Sequence, residues 1–203
     1  CKFRIASDPD DLMIRKITFS ALIAALTAMS APAMAQDVSL SPAVENTAAT
    51  NEVVRDIPIR VNFNLEEDRE NILFLDLSTG ERVAIRLVPE WAPKHVERVK
   101  ELTRMGFYDG VVFHRVIDGF MAQTGDPTGT GMGGATLPDL EAEFNMLPHV
   151  RGTVSMARAN EENSANSQFF IVFYPRFALD RRYTNFGRVI SNMPAADAIA
   201  RGE

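Results

Sequence analysis

The sequence predicts a mostly β domain in which antiparallel strands close into a barrel. Short apolar or alternating runs recur along residues 57–203, and turns that contain Gly, Pro, Asn or Asp separate them. Only two stretches of this region are predicted as helices, and each begins with a proline, Pro93 or Pro194. Many strands with few helices, in a stretch about the size of one domain, indicate such a barrel.

The elements can be placed in order along the chain. The runs predicted as strands are residues 71–77, 82–88, 111–117, 121–124, 152–157, 168–173 and 185–190. A helix is predicted to begin at Pro93, because the missing N–H of proline costs nothing in a first turn. Val96, Val99 and Leu102 supply its buried face. Pro194 is predicted to begin a second helix.

The first 35 residues have the pattern of a secretory signal peptide. Arg15 and Lys16 form a basic start, an apolar run covers residues 17–29, and Ala33-Met34-Ala35 is a small-x-small cleavage site. The apolar run is shorter than the roughly 20 residues of a membrane span. An uncleaved anchor is the alternative, and the well-formed cleavage site disfavours it.

Met13 lies at the right distance to be the initiator, so residues 1–12 are interpreted as upstream sequence. Cleavage after Ala35 leaves no cysteine, which is compatible with a bacterial periplasm but excludes disulfide stabilisation. It leaves 17 basic and 24 acidic residues, a balance that argues against nucleic-acid binding. We expect a periplasmic monomer with a flexible leader at residues 36–56 and no stable membrane association after cleavage.

Three motifs resemble the cyclophilin family of peptidyl-prolyl cis-trans isomerases. They are FHRVIDGFMAQTGD at residues 113–126, SMARA at residues 155–159 and SQFFIV at residues 167–172. The phrases APKHVE at 92–97 and FGRV at 186–189 fit the same family order. Because several separated motifs occur in the right order, the resemblance is far more specific than one short pattern.

The resemblance implies an eight-stranded barrel capped by two helices. In that fold a final strand follows the second helix and pairs with the first strand. The present sequence ends at Arg201-Gly202-Glu203, so we expect this final strand to be missing and the domain to span residues 57–203. An open barrel would expose a strand edge and part of the core.

The resemblance implies that the protein accelerates rotation about X–Pro amide bonds in exported proteins while these proteins fold. The barrier to this rotation is about 18–20 kcal/mol because rotation breaks amide resonance. A catalyst needs directed donors that stabilise the twisted amide, an apolar pocket for the proline ring and a polar anchor for the chain. Arg115 has a rigid, forked set of guanidinium N–H donors, which stabilisation of the twisted amide requires. No cofactor, metal or nucleophile is needed.

The turn at Asp118-Gly119 leaves two registers for the hairpin that carries Arg115. A two-residue turn, which Asp-Gly favours, would place Arg115 opposite Ala122. A three-residue loop over 118–120 would instead place Arg115 opposite Gln123 and Ile117 opposite Met121. Since one residue of slip moves every side chain to the other face, only the second register gathers these residues on one surface. We predict the second register, with Phe120 turned towards the same pocket.

The resemblance assigns further residues to the substrate site. Arg115 and Gln123 are the candidate catalytic residues, and the candidate substrate-binding residues are Ile117, Phe120, Met121, Ala157, Arg158, Phe170, Leu179 and Tyr183. Arg158 stands where eukaryotic members usually have Asn, so we expect it to tune the preference for the residue before proline. Ala178 stands at the position of the family's Trp, which puts high-affinity inhibition by cyclosporin-type macrocycles in doubt.

Other residues have structural explanations. His114 precedes Arg115, so strand alternation places it on the opposite face and we interpret it as structural. The three histidines fit no zinc spacing. Residues 129–134 are glycine-rich but lack the Gly-Lys-Ser/Thr ending of a phosphate loop, which favours a flexible loop beside the pocket. Gln168 is interpreted as a structural hydrogen-bond partner.

The leading hypothesis is therefore an exported isomerase that acts on proline-containing polypeptides without covalent chemistry. The alternative is a proline-directed binding module or holdase with little turnover, because the same apolar pocket would serve it. A serine hydrolase has little support, since the sequence contains no Gly-x-Ser-x-Gly elbow.

Overall fold

The computed structural model describes residues 1–8 and 57–202, so the predicted signal peptide and leader within residues 9–56 lie outside it. The described residues form eight antiparallel strands and two helices, the numbers that the family resemblance implies for the complete fold. The strands are β1 (Lys2–Ile5), β2 (Ile72–Asp76), β3 (Arg82–Leu87), β4 (Arg115–Ile117), β5 (Met121–Thr124), β6 (Thr153–Met156), β7 (Phe169–Val172) and β8 (Asn185–Ser191).

All eight strands belong to one curled sheet. Their order is β1-β2-β3-β8-β6-β7-β5-β4, so β1 and β4 are the two edges. Among the described residues these edges do not pair with each other directly, so the sheet is a half-barrel and not a closed ring of strands. The chain after the last helix reaches the β4 edge, where Val116 and Gly202 form an isolated antiparallel bridge.

The helices are α1 (Pro93–Arg104) and α2 (Met193–Asp197). Proline occupies the first turn of both helices, as the sequence predicted. Val96, Val99 and Leu102 of α1 are buried against the sheet. Two short 3₁₀ turns, Arg69–Asn71 and Phe177–Leu179, complete the regular structure of the described residues. None of the helices described here is both long enough and apolar enough to cross a membrane.

One large apolar core fills the space between the sheet and α1. The rings at its centre are Phe3, Tyr108, Phe169 and Phe186. Phe169 contacts Tyr108 and Phe186 edge-on, with ring centroids 5.8 Å and 6.0 Å apart. The buried Tyr108 hydroxyl donates a hydrogen bond of 2.9 Å to the Ser167 carbonyl, which satisfies its polar end. Burial raises the pKa of Tyr108 far above its usual value.

The expectation of an unpaired edge on the strand at residues 71–77 is wrong. β1 pairs with β2 in an antiparallel register that runs from Lys2 opposite Asp76 to Ile5 opposite Leu73. Phe3 and Ile5 point into the main core and are almost fully buried. Residues 1–12 were interpreted as upstream sequence, yet Lys2–Ile5 fills the place that the family resemblance gives to the final strand. Four residues with alternating burial are sufficient because the β2 edge and the core below it select the register.

We predict that Ile5→Ala lowers the free energy of unfolding by about 2–4 kcal/mol, because it removes a fully buried branched side chain. Lys2→Ala on the same strand is the matched control, since Lys2 is exposed and should change stability by less than about 0.5 kcal/mol. Urea denaturation of the full chain measures both values. Equal stabilities for Ile5→Ala and Lys2→Ala would show that β1 does not contribute to the core.

Candidate active site

The hairpin of β4 and β5 adopts the predicted register. Arg115 lies opposite Gln123, and Ile117 lies opposite Met121. Residues 118–120 form the loop, and Gly119 has a positive φ of 63°. The hairpin thus presents a cation and an amide side by side, as the second register required.

The hairpin borders a cavity of about 350 Å³ at the surface of the sheet. The residues that line it are His114, Arg115, Phe120, Met121, Gln123, Thr130, Gly131, Ala157, Arg158, Phe170, Leu179 and Tyr183. Nine of the ten candidate site residues are therefore brought together. The exception is Ile117, which packs beside Met121, Phe170 and Val172 and does not line the cavity. The prediction that Ile117 lines the pocket is therefore wrong. Ile117 supports the apolar wall of the cavity from the side.

The apolar wall and the cation occupy different parts of this cavity. Met121 and Phe170 are buried and form its floor, with Leu179 packed against them. Arg115 is exposed at the mouth. Phe120 turns towards the cavity as predicted, and the guanidinium of Arg176 lies 5.0 Å from the centre of its ring. This cation–π contact holds the Phe120 ring against the wall.

The amide of Gln123 is oriented by a second glutamine. Gln123 Nε2 donates a hydrogen bond of 2.8 Å to Gln168 Oε1. Gln168 Nε2 in turn donates to the carbonyls of Gly131 and Gly133 at 3.0 Å and 2.7 Å. Because those carbonyls can only accept, the orientation of Gln168 is fixed, and Gln123 must present its amide hydrogen to it. The structural role predicted for Gln168 is confirmed.

The glycine-rich loop beside the cavity is organised around the buried carboxylate of Asp126. The backbone N–H groups of Thr128, Thr130, Gly131 and Gly133 donate to this carboxylate at 2.6–3.2 Å. Burial would raise the pKa of Asp126, but these hydrogen bonds outweigh it and hold the pKa well below its usual range. The loop lies beside the cavity, as predicted, and its backbone is hydrogen-bonded to an anion of its own chain.

Arg158 and Tyr183 form the opposite rim. The Arg158 guanidinium lies 5.0 Å above the Tyr183 ring and donates to the carbonyls of Ala159, Asn160 and Arg182 at 2.9–3.1 Å. Arg158 also borders a second cavity of about 460 Å³, which shares Gln123, Gly131, Ala157 and Arg158 with the first. Arg158 is thus a fixed partition between two adjoining cavities.

His149 is a residue of the site region that the sequence analysis did not identify. Its Nδ1 atom and its backbone N–H both lie 2.8 Å from Asp180 Oδ1, and Nε2 lies 2.8 Å from Ser155 Oγ. The ring stacks on Phe170 with a centroid distance of 6.4 Å. Since a carboxylate only accepts, we assign the proton to Nδ1, so that the Ser155 hydroxyl donates to Nε2.

This arrangement makes His149 a positioning residue. It connects β6, the Phe170 ring of β7 and the turn that carries Leu179, and both Phe170 and Leu179 line the cavity. Burial lowers the pKa of His149, and the contact with Asp180 opposes the shift only in part. Sequence reasoning missed it because its partners are six and 31 residues away.

Strand alternation predicted that His114 lies on the opposite face from Arg115. His114 instead lies in the cavity lining. The reason is that β4 begins only at Arg115, so residues 111–114 do not follow the alternation of a strand. Burial lowers the pKa of His114, which favours a neutral imidazole near pH 7. Within residues 1–8 and 57–202 no group of three or more His, Cys, Asp or Glu side chains is placed to hold a metal ion.

Comparison with known proteins identifies the class to which this fold and site belong. The family model described as cyclophilin type peptidyl-prolyl cis-trans isomerase/CLD matches residues 74–203. The chain therefore belongs to the cyclophilin-type peptidyl-prolyl cis-trans isomerase family.

Particular relatives support the same assignment. A probable peptidyl-prolyl cis-trans isomerase of Brucella suis is 51% identical over 146 residues, covering 66% of this chain and 74% of the relative. Peptidyl-prolyl cis-trans isomerase B of Bacillus subtilis is 41% identical over 128 residues, covering 63% of this chain and 89% of the relative.

Two solved structures are similar as well. The crystal structure of a cyclophilin from Hirschia baltica matches with a TM-score of 0.60 and 30% identity, covering 66% of this chain and 68% of that one. A cyclophilin-type isomerase of Cryptosporidium parvum, crystallised in the presence of the dipeptide Ala-Pro, matches with a TM-score of 0.59 and 30% identity. That match covers 64% of this chain and 87% of the other.

We predict that His149 makes stability fall as the pH drops below about 6.5, the usual pKa of histidine. A folded-state pKa below the unfolded value means that the unfolded chain binds a proton first, so the stabilisation present above this pH is lost on acidification. The effect is at most about 1.4 kcal/mol per pH unit. Unfolding free energies at pH 7.5 and 5.5 should therefore differ more for the wild type than for His149→Gln.

The same variant should raise KM for an X–Pro peptide more than it lowers kcat, because it loosens Phe170 and Leu179 without touching Arg115. Identical pH dependence of stability in wild type and His149→Gln would remove His149 as the titrating group. An unchanged KM would remove its positioning role.

Proposed function

We propose that this chain catalyses cis–trans isomerisation of X–Pro bonds through Arg115 and Gln123, without covalent chemistry. The observation that carries the proposal is the pairing of these two side chains at the mouth of an apolar cavity. The floor of Met121 and Phe170 suits a proline ring, which has no N–H to satisfy. Membership of the isomerase family supplies the reaction class.

Arg115 is assigned to the twisted amide. When the X–Pro bond rotates out of plane, resonance is lost and the prolyl nitrogen regains its lone pair. A guanidinium offers several N–H donors in one rigid plane, so it can stabilise the nitrogen and a neighbouring carbonyl together. A donor already in position requires no reorganisation at the moment of rotation.

Gln123 is assigned to the anchor that keeps one side of the substrate still. Its amide is held by Gln168, which is held by the carbonyls of Gly131 and Gly133. A side chain fixed in this way loses little conformational entropy when it binds a peptide carbonyl. Rotation is then confined to the other side of the X–Pro bond.

The second cavity suits the residues that precede proline. It adjoins the first cavity at Ala157 and Arg158, and its lining includes the small residues Gly133, Gly134 and Ala135. Arg158 lies between the two cavities, which supports the proposal that it tunes the preference for the residue before proline.

We predict that Arg115→Ala lowers kcat/KM for an X–Pro peptide about 10²–10³-fold, the usual effect of removing one preorganised donor. Arg115→Lys should recover only part of the activity, since lysine keeps the charge but lacks the planar fork. Exchange NMR on a short X–Pro peptide measures turnover and binding in the same sample. Arg60→Ala is the matched control, because Arg60 is an exposed arginine that does not line the cavity.

Acceleration that survives in Arg115→Ala would contradict the role of this residue. Peptide binding by the wild type without any acceleration would instead favour the proline-directed binding module or holdase.

The clients of the isomerase are proposed to be exported proteins. Support comes from the basic start at Arg15 and Lys16, the apolar run at 17–29 and the small residues before Gln36. Expression of the full sequence in a Gram-negative bacterium should give a periplasmic protein that begins at Gln36. Ala35→Leu is expected to leave it uncleaved, because the cleavage site requires a small residue. Wild-type protein recovered with residues 1–35 attached would contradict export by this signal.

A further inference from the structure

The loop between β7 and β8 carries a local excess of positive charge. Residues 174–183, the arginine loop, contain Arg176, Arg181 and Arg182 but only one acidic residue, Asp180. The whole chain, by contrast, has a formal net charge of −6 at pH 7. All three arginines are exposed. Positive charge is therefore concentrated on one loop of an otherwise acidic chain.

The arginines of this loop are not paired with carboxylates of their own chain. Within the part of the chain that the structure describes, Arg176, Arg181 and Arg182 form no ion pair. The Asp180 carboxylate is directed at His149, whose backbone N–H and Nδ1 each lie 2.8 Å from Asp180 Oδ1. The three guanidinium groups are thus available to a negatively charged group of a bound peptide.

The arginine loop is also a wall of the prolyl cavity. Leu179 and Tyr183 line this cavity, and so does Phe120 on the facing hairpin. The Arg176 guanidinium lies 5.0 Å from the centre of the Phe120 ring. The Leu179 N–H donates a hydrogen bond of 3.0 Å to the Arg176 carbonyl, which closes a turn between the two residues. The cation of Arg176 is therefore held at the edge of the cavity.

The two cavities give the bound peptide a direction. The second cavity adjoins the first at Ala157 and Arg158, and its lining includes neither Phe120 nor Leu179. Since the residues that precede proline are assigned to the second cavity, the residues that follow proline leave across Phe120 and Leu179. There they reach the guanidinium that Arg176 places beside Phe120.

We propose that the arginine loop selects substrates with an acidic side chain directly after proline, with Arg176 as the main contact. The inference rests on the proposed function, because it uses the same placement of the peptide. A guanidinium binds a carboxylate through two parallel N–H donors. Because the pair is exposed to solvent, the gain in affinity is a few-fold. Arg181 and Arg182 add attraction at longer range, which raises the rate of encounter with acidic chains.

An apolar residue after proline is the competing occupant. Tyr174 and Phe177 are exposed large side chains of the same loop. Neither of them lines the prolyl cavity, whereas Arg176 contacts the Phe120 ring that does. The cation is therefore better placed than the aromatic side chains to meet the residue after proline.

The test compares blocked peptides, acetyl-Ala-Ala-Pro-X-Ala-amide with Glu, Gln, Lys or Leu at X, at pH 7.5, where a Glu side chain is ionised. NMR titration gives Kd, and exchange NMR gives turnover in the same samples. We expect the wild type to bind the Glu peptide about two- to fivefold more tightly than the Gln peptide, the effect of one exposed ion pair. The Lys peptide should bind more weakly than the Gln peptide, and about 1 M NaCl should remove both differences.

Variants of Arg176 separate recognition of charge from support of Phe120. Arg176→Gln should remove most of the preference for Glu over Gln, whereas Arg176→Lys should keep part of it. Looser packing of Phe120 alone would weaken all peptides equally and leave this ratio unchanged. Arg60→Gln is the matched control, because Arg60 is exposed but belongs to neither the loop nor the cavity lining. For peptides with Glu or Gln directly before proline, Arg176→Gln should leave the ratio unchanged.

Equal binding of the Glu and Gln peptides by the wild type, or a ratio that survives in Arg176→Gln, would overturn the inference. A Leu peptide that binds more tightly than the Glu peptide would identify the apolar occupant and overturn it as well. Absence of acceleration for every peptide would contradict the proposed isomerase activity instead, and the Kd ratios would still decide the inference.

Discussion

The fold and the site both depend on the alternation of two adjacent phenylalanines in β7. Phe169 points into the main core, where Tyr108 and Phe186 pack edge-on against its ring. Phe170 points to the other face, where it forms the floor of the cavity beside Met121. A slip of one residue in β7 would exchange these positions, so the core and the substrate cavity are fixed by a single register.

The same strand explains why the β4–β5 hairpin has a three-residue loop. The Phe173 N–H, just beyond the end of β7, donates a hydrogen bond of 2.8 Å to the Phe120 carbonyl. Phe120 N–H in turn donates to the Ile117 carbonyl at 3.1 Å. Asp-Gly alone favours a two-residue turn. The neighbouring strand gives Phe120 an additional partner, and that tertiary contact outweighs the local preference.

The polar side of the site depends on a carboxylate that does not line the cavity. Asp126 gathers the N–H groups of the glycine-rich loop and thereby fixes the carbonyls of Gly131 and Gly133. Those carbonyls orient Gln168, and Gln168 orients Gln123. A Cβ at position 133 would lie 2.2 Å from Asp126 Oδ1, so the approach of the loop to the carboxylate requires glycine there. The orientation of the Gln123 amide thus depends on the buried carboxylate of Asp126.

The sequence by itself determined the local elements and most of the cavity. Periodicity located α1 and the central strands, because side chains that share a face recur at fixed spacing. The family resemblance assigned Arg115, Gln123, Phe170 and seven further residues to the site, and of these ten residues Ile117 alone does not line the cavity. The elements could be predicted because each one depends on residues close together in the chain, and the site residues could be predicted because the chain resembles a known family.

The tertiary structure alone decided the contacts between distant segments. Lys2–Ile5 is too short to predict as a strand, and only the β2 edge and the core beneath Phe3 and Ile5 give it a register. His149 gained its role only when the fold brought Asp180 and Ser155 to its two ring nitrogens. In both cases the stabilising energy comes from burial and hydrogen bonds between segments, and periodicity within one segment carries no information about them.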